Sequence, residues 1–556
     1  MNSFRKRLLI VMLSMLILSY INLPVEAKEP QVIFNGHVLI LEMQPIVEDD
    51  LVLVPFRDIF TAMGANINYD SKENCVLAIF NGVSVKLPIG TSVAYVNDML
   101  VNNSVSNRII RGRTMIPLDF ISKYFGLTVW VTKNNEELLI YINTPGFYNE
   151  ISCGIPILIS DIATNRSTAY TMSNKIVTCE LGGVRKTHFA YSKNDGTEPY
   201  QEYKSISTWI ATYNNVTRKI ESDTFIGYQF DNHGSPALTI DKDGYLHIAY
   251  GPHGNAPLQY RRSLRPNDST GWSEIEYIST NLDYEITYPI IKVDGENNIH
   301  IVGSCYNKAV YIKKETGGRW SQVRIINSTT KEYSRYHVCM DIDRNNNIHI
   351  LVPDLRFDGD PDDDTADMDL YYYKSGDRGE SFSKALRVWG NKDGRGYYNT
   401  LAVDEQGNPH FTIIRRQSGK EKNIWHVYYD SKTWRKNAIQ IPAKSIFEAK
   451  IMIDNKGKLF IIAQVSDEFK NSGWNHVSNQ LFLVSAEKRN PVNYDYEVDR
   501  VVGSDPNVVW LPTIEENQQH SEIKNSFWLM YNVGKEEAVP CANLKQNKNY
   551  IMQLNY

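Results

Sequence analysis

Over most of its length the chain alternates apolar and polar residues in short runs broken by Asp, Asn and Gly. One unit recurs: apolar-x-apolar-Asp, a turn, then apolar-His-apolar. Its copies are LTIDKDGYLHIAY around Asp241, IKVDGENNIHIVG around Asp294, MDIDRNNNIHILV around Asp343, LAVDEQGNPHFTI around Asp404 and IMIDNKGKLFIIA around Asp454. Alternation with period two on both sides of an Asp/Asn/Gly turn predicts β-hairpins. The Asp residues stand 53, 49, 61 and 50 positions apart. Weaker copies surround His188 (KTHFAYS) and Trp528 (NSFWLMY), which brings the count to seven. Repeats of this length, with several strands each, predict a mainly β fold: a seven-bladed β-propeller over residues 150–556.

The first part of the chain is patterned differently. Arg5, Lys6 and Arg7 precede a short apolar run, Leu8 to Ile21, and Val25-Glu26-Ala27 offers a cleavage site. The run is shorter than a bilayer requires, so residues 1–27 read as a signal peptide and the protein as secreted; an uncleaved anchor is the alternative. Residues 28–145 hold an internal repeat, with Pro55 and Pro117, and Gly64 and Gly126, each 62 positions apart. Each copy predicts a short helix opened by Pro and stopped by Gly, followed by a hairpin: a small duplicated α+β domain. The phrase VPFRDIFTAMGA resembles the copper amine oxidase N-terminal-like domain of secreted bacterial proteins. Copper needs imidazole or sulfur ligands, and this region holds His37 and Cys75 alone, so no copper site is expected. Attachment to a cell wall or polymer, or simple spacing, is the expected role.

Composition narrows the function. The net charge of −5 carries no basic footprint for nucleic acid. Six Cys in 556 residues make no disulfide framework and no metal motif. Tyrosine is abundant, at 34 against 19 Phe, which suits β-sheet and polar, sugar-like ligands. Ser375-Gly376-Asp377-Arg378-Gly379-Glu380-Ser381-Phe382 fits the S-x-D-x-G-x-[ST]-[WF] turn, or Asp-box, of sialidase-like propellers.

Five of the 12 histidines (His188, His247, His300, His349 and His410) share one repeat position and read as structural. His233 and His253 differ. They flank the two strands of one hairpin, and antiparallel pairing brings both to the same end of it. They are candidate catalytic groups at one mouth of the propeller; two surface loop histidines are the plain alternative. Six residues before the motif Asp stand Tyr288, His337, Tyr398 and Glu448, which should ring a central funnel. Asn232 and Tyr336, beside His233 and His337, join the substrate-binding candidates.

The stretch DNHGSPALTIDKDGYLHIAYGPHGNAPLQYRRS, with TYPIIKVDG, resembles the BNR-repeat propeller family that includes ulvan lyases and related rhamnose–glucuronate lyases. The resemblance covers roughly residues 170–530. It implies β-elimination on an acidic, uronate-containing polysaccharide, with His233, His253 and Tyr288 as the catalytic residues and no required cofactor. Such a lyase must neutralise a carboxylate, remove the C5 proton and protonate the leaving oxygen. The family usually carries an Arg at the end of the strand after T-Y-P, where this chain has Gly303, Ser304 and Cys305. Arg356, and Arg415 or Arg416, ending the equivalent strands of the next two units, are the candidate substitutes, with ordinary surface arginines as the plain alternative. The loop DLRFDGDPDDDTADMDL could bind calcium or be a solvated acidic loop. A non-catalytic carbohydrate-binding propeller and a sialidase-like hydrolase are the competing functions. The hydrolase lacks its arginine phrase in the right domain.

Overall fold

In a computed structural model the chain divides into two compact units, Met1–Phe147 and Tyr148–Tyr556. The structure describes residues 30–556, apart from 144–151, 195–205, 329–336, 357–366, 417–421, 469–478, 503–507, 535–546 and shorter breaks. The expected signal peptide, Tyr336, and the acidic loop's Asp358, Asp360, Asp362, Asp363 and Asp364 lie outside the described residues. Among the described residues, no helix is long and apolar enough to cross a membrane.

The first unit realises the internal repeat. Helices Phe56–Ala62 and Leu118–Phe125 each follow a strand ending in Pro, Leu51–Pro55 and Arg113–Pro117. Those strands pair antiparallel, Met115 opposite Pro55 and Pro117 opposite Leu53, so the two copies meet at their equivalent residues. Phe56, Phe60, Phe120 and Phe125 share one core with Val54 and Ile116.

The second unit is a succession of antiparallel meanders. The first sheet runs from Ile176–Leu181 to Lys219–Tyr228. The second starts with Ala237–Ile240 and Leu246–Tyr250. The third spans Thr287–Val293 to Arg324–Ser328, the fourth Cys339–Ile342 to Leu386–Trp389, the fifth Gly396–Val403 to Trp434–Ile439, and the sixth Ser445–Ile453 to Asn493–Val502. The last takes Val508–Ile514, Ser526–Gly534 and Asn547–Asn555 from the end of the chain, and its outer strand, Ile157–Ala163, from the beginning. The opening strands of successive sheets lie beside one another, from Ile176–Leu181 through to Val508–Ile514.

Each predicted hairpin is present. The motif Asp accepts backbone N–H bonds from two and four residues on: Asp343 Oδ1, for example, takes Asn345 N at 2.9 Å and Asn347 N at 2.8 Å. The motif His then ties that Asp to a phenol of the sheet's third strand. His349 Nε2 lies 3.3 Å from Asp343 and its Nδ1 2.8 Å from Tyr372 Oη. His247 with Tyr260 and His300 with Tyr311 repeat the arrangement. His410 uses His426 in place of the phenol. These histidines are buried buttresses, in line with their structural reading.

Candidate active site

The site grows from the second sheet's hairpin. Strands Ala237–Ile240 and Leu246–Tyr250 pair antiparallel, so the residues before the first and after the second share one end. Gly251 N donates to Gly234 O at 3.0 Å, and a Cβ on Gly234 would lie 3.0 Å from the Gly251 backbone, so the two flanks close tightly. His233 and His253 consequently stack, with ring centroids 4.4 Å apart and planes 17° from parallel.

One residue joins them. Asp231 Oδ2 lies 2.6 Å from His253 Nδ1, and Oδ1 lies 3.2 Å from His233 Nδ1. Oδ1 also accepts the His233 backbone N–H at 2.7 Å. Burial alone would raise the Asp231 pKa, but the two imidazole hydrogen bonds outweigh it and hold the carboxyl well below the usual range. An ionised carboxylate only accepts, so each ring donates its Nδ1–H to Asp231, and in neutral His233 the lone pair is on Nε2. Burial lowers the pKa of His233, against the raising effect of Asp231, and the positive charge of Arg166 lowers it further. The site therefore presents two imidazoles oriented by one carboxylate, of which His233 is held towards its neutral, basic form. The ligating atoms of Asp231, His233 and His253 lie within 4.8 Å of one another, a spacing a metal ion could also use. The near-parallel stack is the arrangement of two rings sharing a carboxylate.

Tyr288 opens the third sheet with a positive φ of 53°, at a register shift between Thr287 and Ile290. Its ring centroid is 6.3 Å from that of His253. Burial and then the neighbouring Tyr170 push its phenol well up, so it stays protonated as a donor. His337 takes the matching place before the fourth sheet, with φ 60°, its centroid 6.5 Å from that of Tyr288. Burial pushes its imidazole down to about 3, so it is neutral. In the fifth sheet Tyr398 falls at the register shift between Tyr397 and Asn399, and in the sixth Glu448 follows the shift at Phe447. The shared position six residues before the motif Asp thus lies at or beside a break in the ladder in the third, fifth and sixth sheets. Glu448 is buried and accepts from Thr171 Oγ1 at 2.7 Å. Asn232 is buried, its amide donating to Asn165 Oδ1 at 2.9 Å.

Arg356 and Arg415 do not come to the histidine pair. Arg356 Nη1 lies 3.2 Å from Asp369 Oδ2 and 3.7 Å from Asp354, within the fourth sheet. The Arg415 guanidinium stands 5.0 Å from the Trp425 ring centroid, within the fifth. Their strands leave from neighbouring sheets, and partners there hold them.

One segment that contacts several sheets carries no periodic signal in the sequence. After Ile157–Ala163, residues 164–175 are all buried and cross between the opening strands of several sheets. Thr168 Oγ1 donates to Leu511 O at 2.6 Å, Ser173 Oγ to Pro289 O at 3.2 Å, and Lys175 Nζ to Ser235 Oγ at 2.6 Å. Further along the same strands, Lys292 pairs with Asp341 and Glu516, and Lys450 with Glu516 at 2.6 Å. This segment also brings Arg166 and Tyr170, whose ring lies 4.6 Å from Tyr288 and 5.8 Å from His337. Neither belongs to the repeat, so no periodic signal marks them. Asp231, two residues before His233, was legible only as part of a turn phrase.

Comparisons with known proteins follow the same division. Residues 33–140 match the copper amine oxidase N-terminal domain family, and residues 186–442 match a BNR repeat-containing family. An ulvan lyase of Alteromonas sp. (strain LOR) is 23% identical over 299 residues, 41% of this chain and 58% of that protein. A second, "Ulvan Lyase-PL25" of Pseudoalteromonas sp. (strain PLSV), is 29% identical over 166 residues, 25% of this chain and 31% of that protein. The chain thus spans less than two thirds of either relative. Among solved structures, a PL25 ulvan lyase bound to -[GlcA(1-4)Rha3S]- superposes with a TM-score of 0.52 at 15% identity, covering 68% of this chain and 93% of the other.

Proposed function

We propose that the chain is a secreted polysaccharide lyase that cleaves a uronate-containing polymer by β-elimination, on sheets closed into a seven-bladed propeller. The observation that carries this reading is the Asp231-bridged stack of His233 and His253 with Tyr288 beside it. The similarity to ulvan lyases supports it and points to rhamnose-linked glucuronate as the first substrate to test. An Nε2 of the imidazole pair takes the C5 proton. The electron pair of that bond forms the C4–C5 double bond as the C4–O bond breaks, and the Tyr288 phenol protonates the leaving oxygen. The first unit would serve as a tether to a wall or polymer, and the acidic loop as a calcium site outside the reaction.

The test is optical. A lyase product carries an unsaturated uronate that absorbs in the near ultraviolet, so turnover of a glucuronate–rhamnose polymer should appear as rising absorbance. His233→Ala and His253→Ala should each lower turnover by about 10³-fold with unchanged circular dichroism. New reducing ends without absorbance would make the protein a hydrolase. Binding without either would make it a carbohydrate-binding propeller, the alternative that Ser304 in the usual Arg position favours.

A further inference from the structure

The proposed elimination, on which this inference rests, places a negative carboxylate beside the C5 proton. That proton becomes acidic enough to remove only when a cation or strong donors hold the carboxylate. Strand Ile299–Cys305 ends without an Arg, and Arg356 and Arg415 are held elsewhere. A guanidinium reaches the site from another direction. Arg166 is buried, and its Nη1 donates to Tyr170 Oη at 2.7 Å. Tyr170 in turn packs edge-on against Tyr288. The preceding residue, Asn165, is tied to Asn232, the neighbour of His233. Trp510 Nε1 and Asn532 Nδ2 donate to the Asn165 carbonyl from the last sheet, at 2.7 and 3.3 Å, so the backbone that carries Arg166 is fixed from both sides.

We propose that Arg166 binds and neutralises the substrate's carboxylate, the role that a residue near Ser304 would otherwise fill. Its charge already acts on two groups of the site, depressing the basicity of His233 and opposing the rise of Tyr288. The bond to Tyr170 Oη orients the guanidinium. A planar fork held in this way suits a carboxylate, which accepts two parallel N–H bonds. The site is therefore assembled from two sources: the bases come from a blade hairpin, and the carboxylate clamp from the segment that contacts several sheets.

The experiment separates this inference from the lyase reading by measuring binding as well as turnover. Glucuronate oligosaccharides, native and carboxyl-reduced, are titrated into the full-length protein by calorimetry, with His233→Ala as a background that blocks turnover. The parent should prefer the native ligand by at least about tenfold, as a charge-assisted pair allows. Arg166→Gln should bind both forms alike, and Arg166→Lys should keep part of the preference. In the catalytically intact background, Arg166→Gln should lower kcat/KM by about 10²-fold, with partial rescue by added guanidinium. A preference retained in Arg166→Gln, or absent from the parent, would overturn the assignment. Should Arg166→Gln fail to fold, retention of the full preference and kcat/KM by a Tyr170→Phe variant that removes the Oη acceptor, together with their retention by Arg166→Lys, would likewise count against it. A preference that depends on Arg166 without any absorbance change would keep the carboxylate site and reject the lyase.

Discussion

At the scale of single residues, the site rests on one carboxylate. Asp231 fixes both imidazoles through Nδ1, so Asp231→Asn removes the acceptor that sets the tautomer while leaving the fold's packing in place. Turnover should fall by about 10²- to 10⁴-fold, as for other oriented bases. The pH profile gives a second readout. His233 faces Asp231, which raises its pKa, and Arg166 and His253, which lower it together with burial. A base must be neutral, so activity should persist below the ordinary imidazole range and fall as the pH drops through the depressed value. Without the carboxylate that value drops further, and the acidic limb of Asp231→Asn should move to lower pH. Arg166→Gln should move it up. A limb that moves up in Asp231→Asn would contradict the assigned hydrogen bonds. That His233, His253 and Tyr288 come together was legible in the sequence because the repeat fixed their place relative to a hairpin. Asp231 and Arg166 were not, because their meaning depends on which ring or phenol they touch.

At the scale of the element, the same sequence phrase does two jobs. Its Asp holds the turn, and its His carries that hold to the third strand. The phenols that receive it, Tyr260, Tyr311 and Tyr372, give part of the tyrosine excess a structural purpose. The sixth sheet has Phe460 in the His place, and there Tyr556 Oη donates to Asp454 at 2.7 Å instead. The hairpins and their spacing were fully legible. The tyrosine partners and the bulges at Tyr288 and Tyr398 were not, since both depend on the neighbouring strand's register. Hydrogen bonds from His349, Asn347 and the backbone outweigh burial and hold Asp343 down at about 2. A carboxyl depressed on folding stabilises the protein above its unfolded value, near 3.9, and that contribution is lost as the pH falls towards 2. Asp343→Asn should therefore lose about 1–2 kcal/mol at neutral pH and show a flatter loss of stability between pH 4 and 2. Chemical denaturation across that window measures it; an unchanged slope would show that Asp343 does not titrate with folding. Activity at neutral pH should be unaffected, because the buttress lies outside the proposed site.

At the scale of the whole second unit, the pairing of its first strand with its last and the proposed chemistry share one piece of chain. Strand Ile157–Ala163 pairs with Asn547–Asn555, hundreds of residues away in sequence, and leads straight into the segment that carries Arg166 and Tyr170. No local pattern announces such a pairing, which is why the sequence suggested the repeats but not the segment that contacts several sheets. The arrangement makes a definite demand. Ile551 is fully buried in a cluster with Ile176, Phe189, Tyr191 and Trp528, on the strand that meets Ile157–Ala163. Ile551→Ala should cost about 2–5 kcal/mol through lost burial and the cavity left behind. Because the weakened strand anchors the Arg166 segment, preference for the native over the carboxyl-reduced ligand should vanish in step with the first loss of structure on denaturant titration. Tryptophan fluorescence would follow the fold and calorimetry the preference. If the preference outlasts unfolding of the last sheet, the carboxylate clamp does not depend on that pairing, and the link drawn between the two fails.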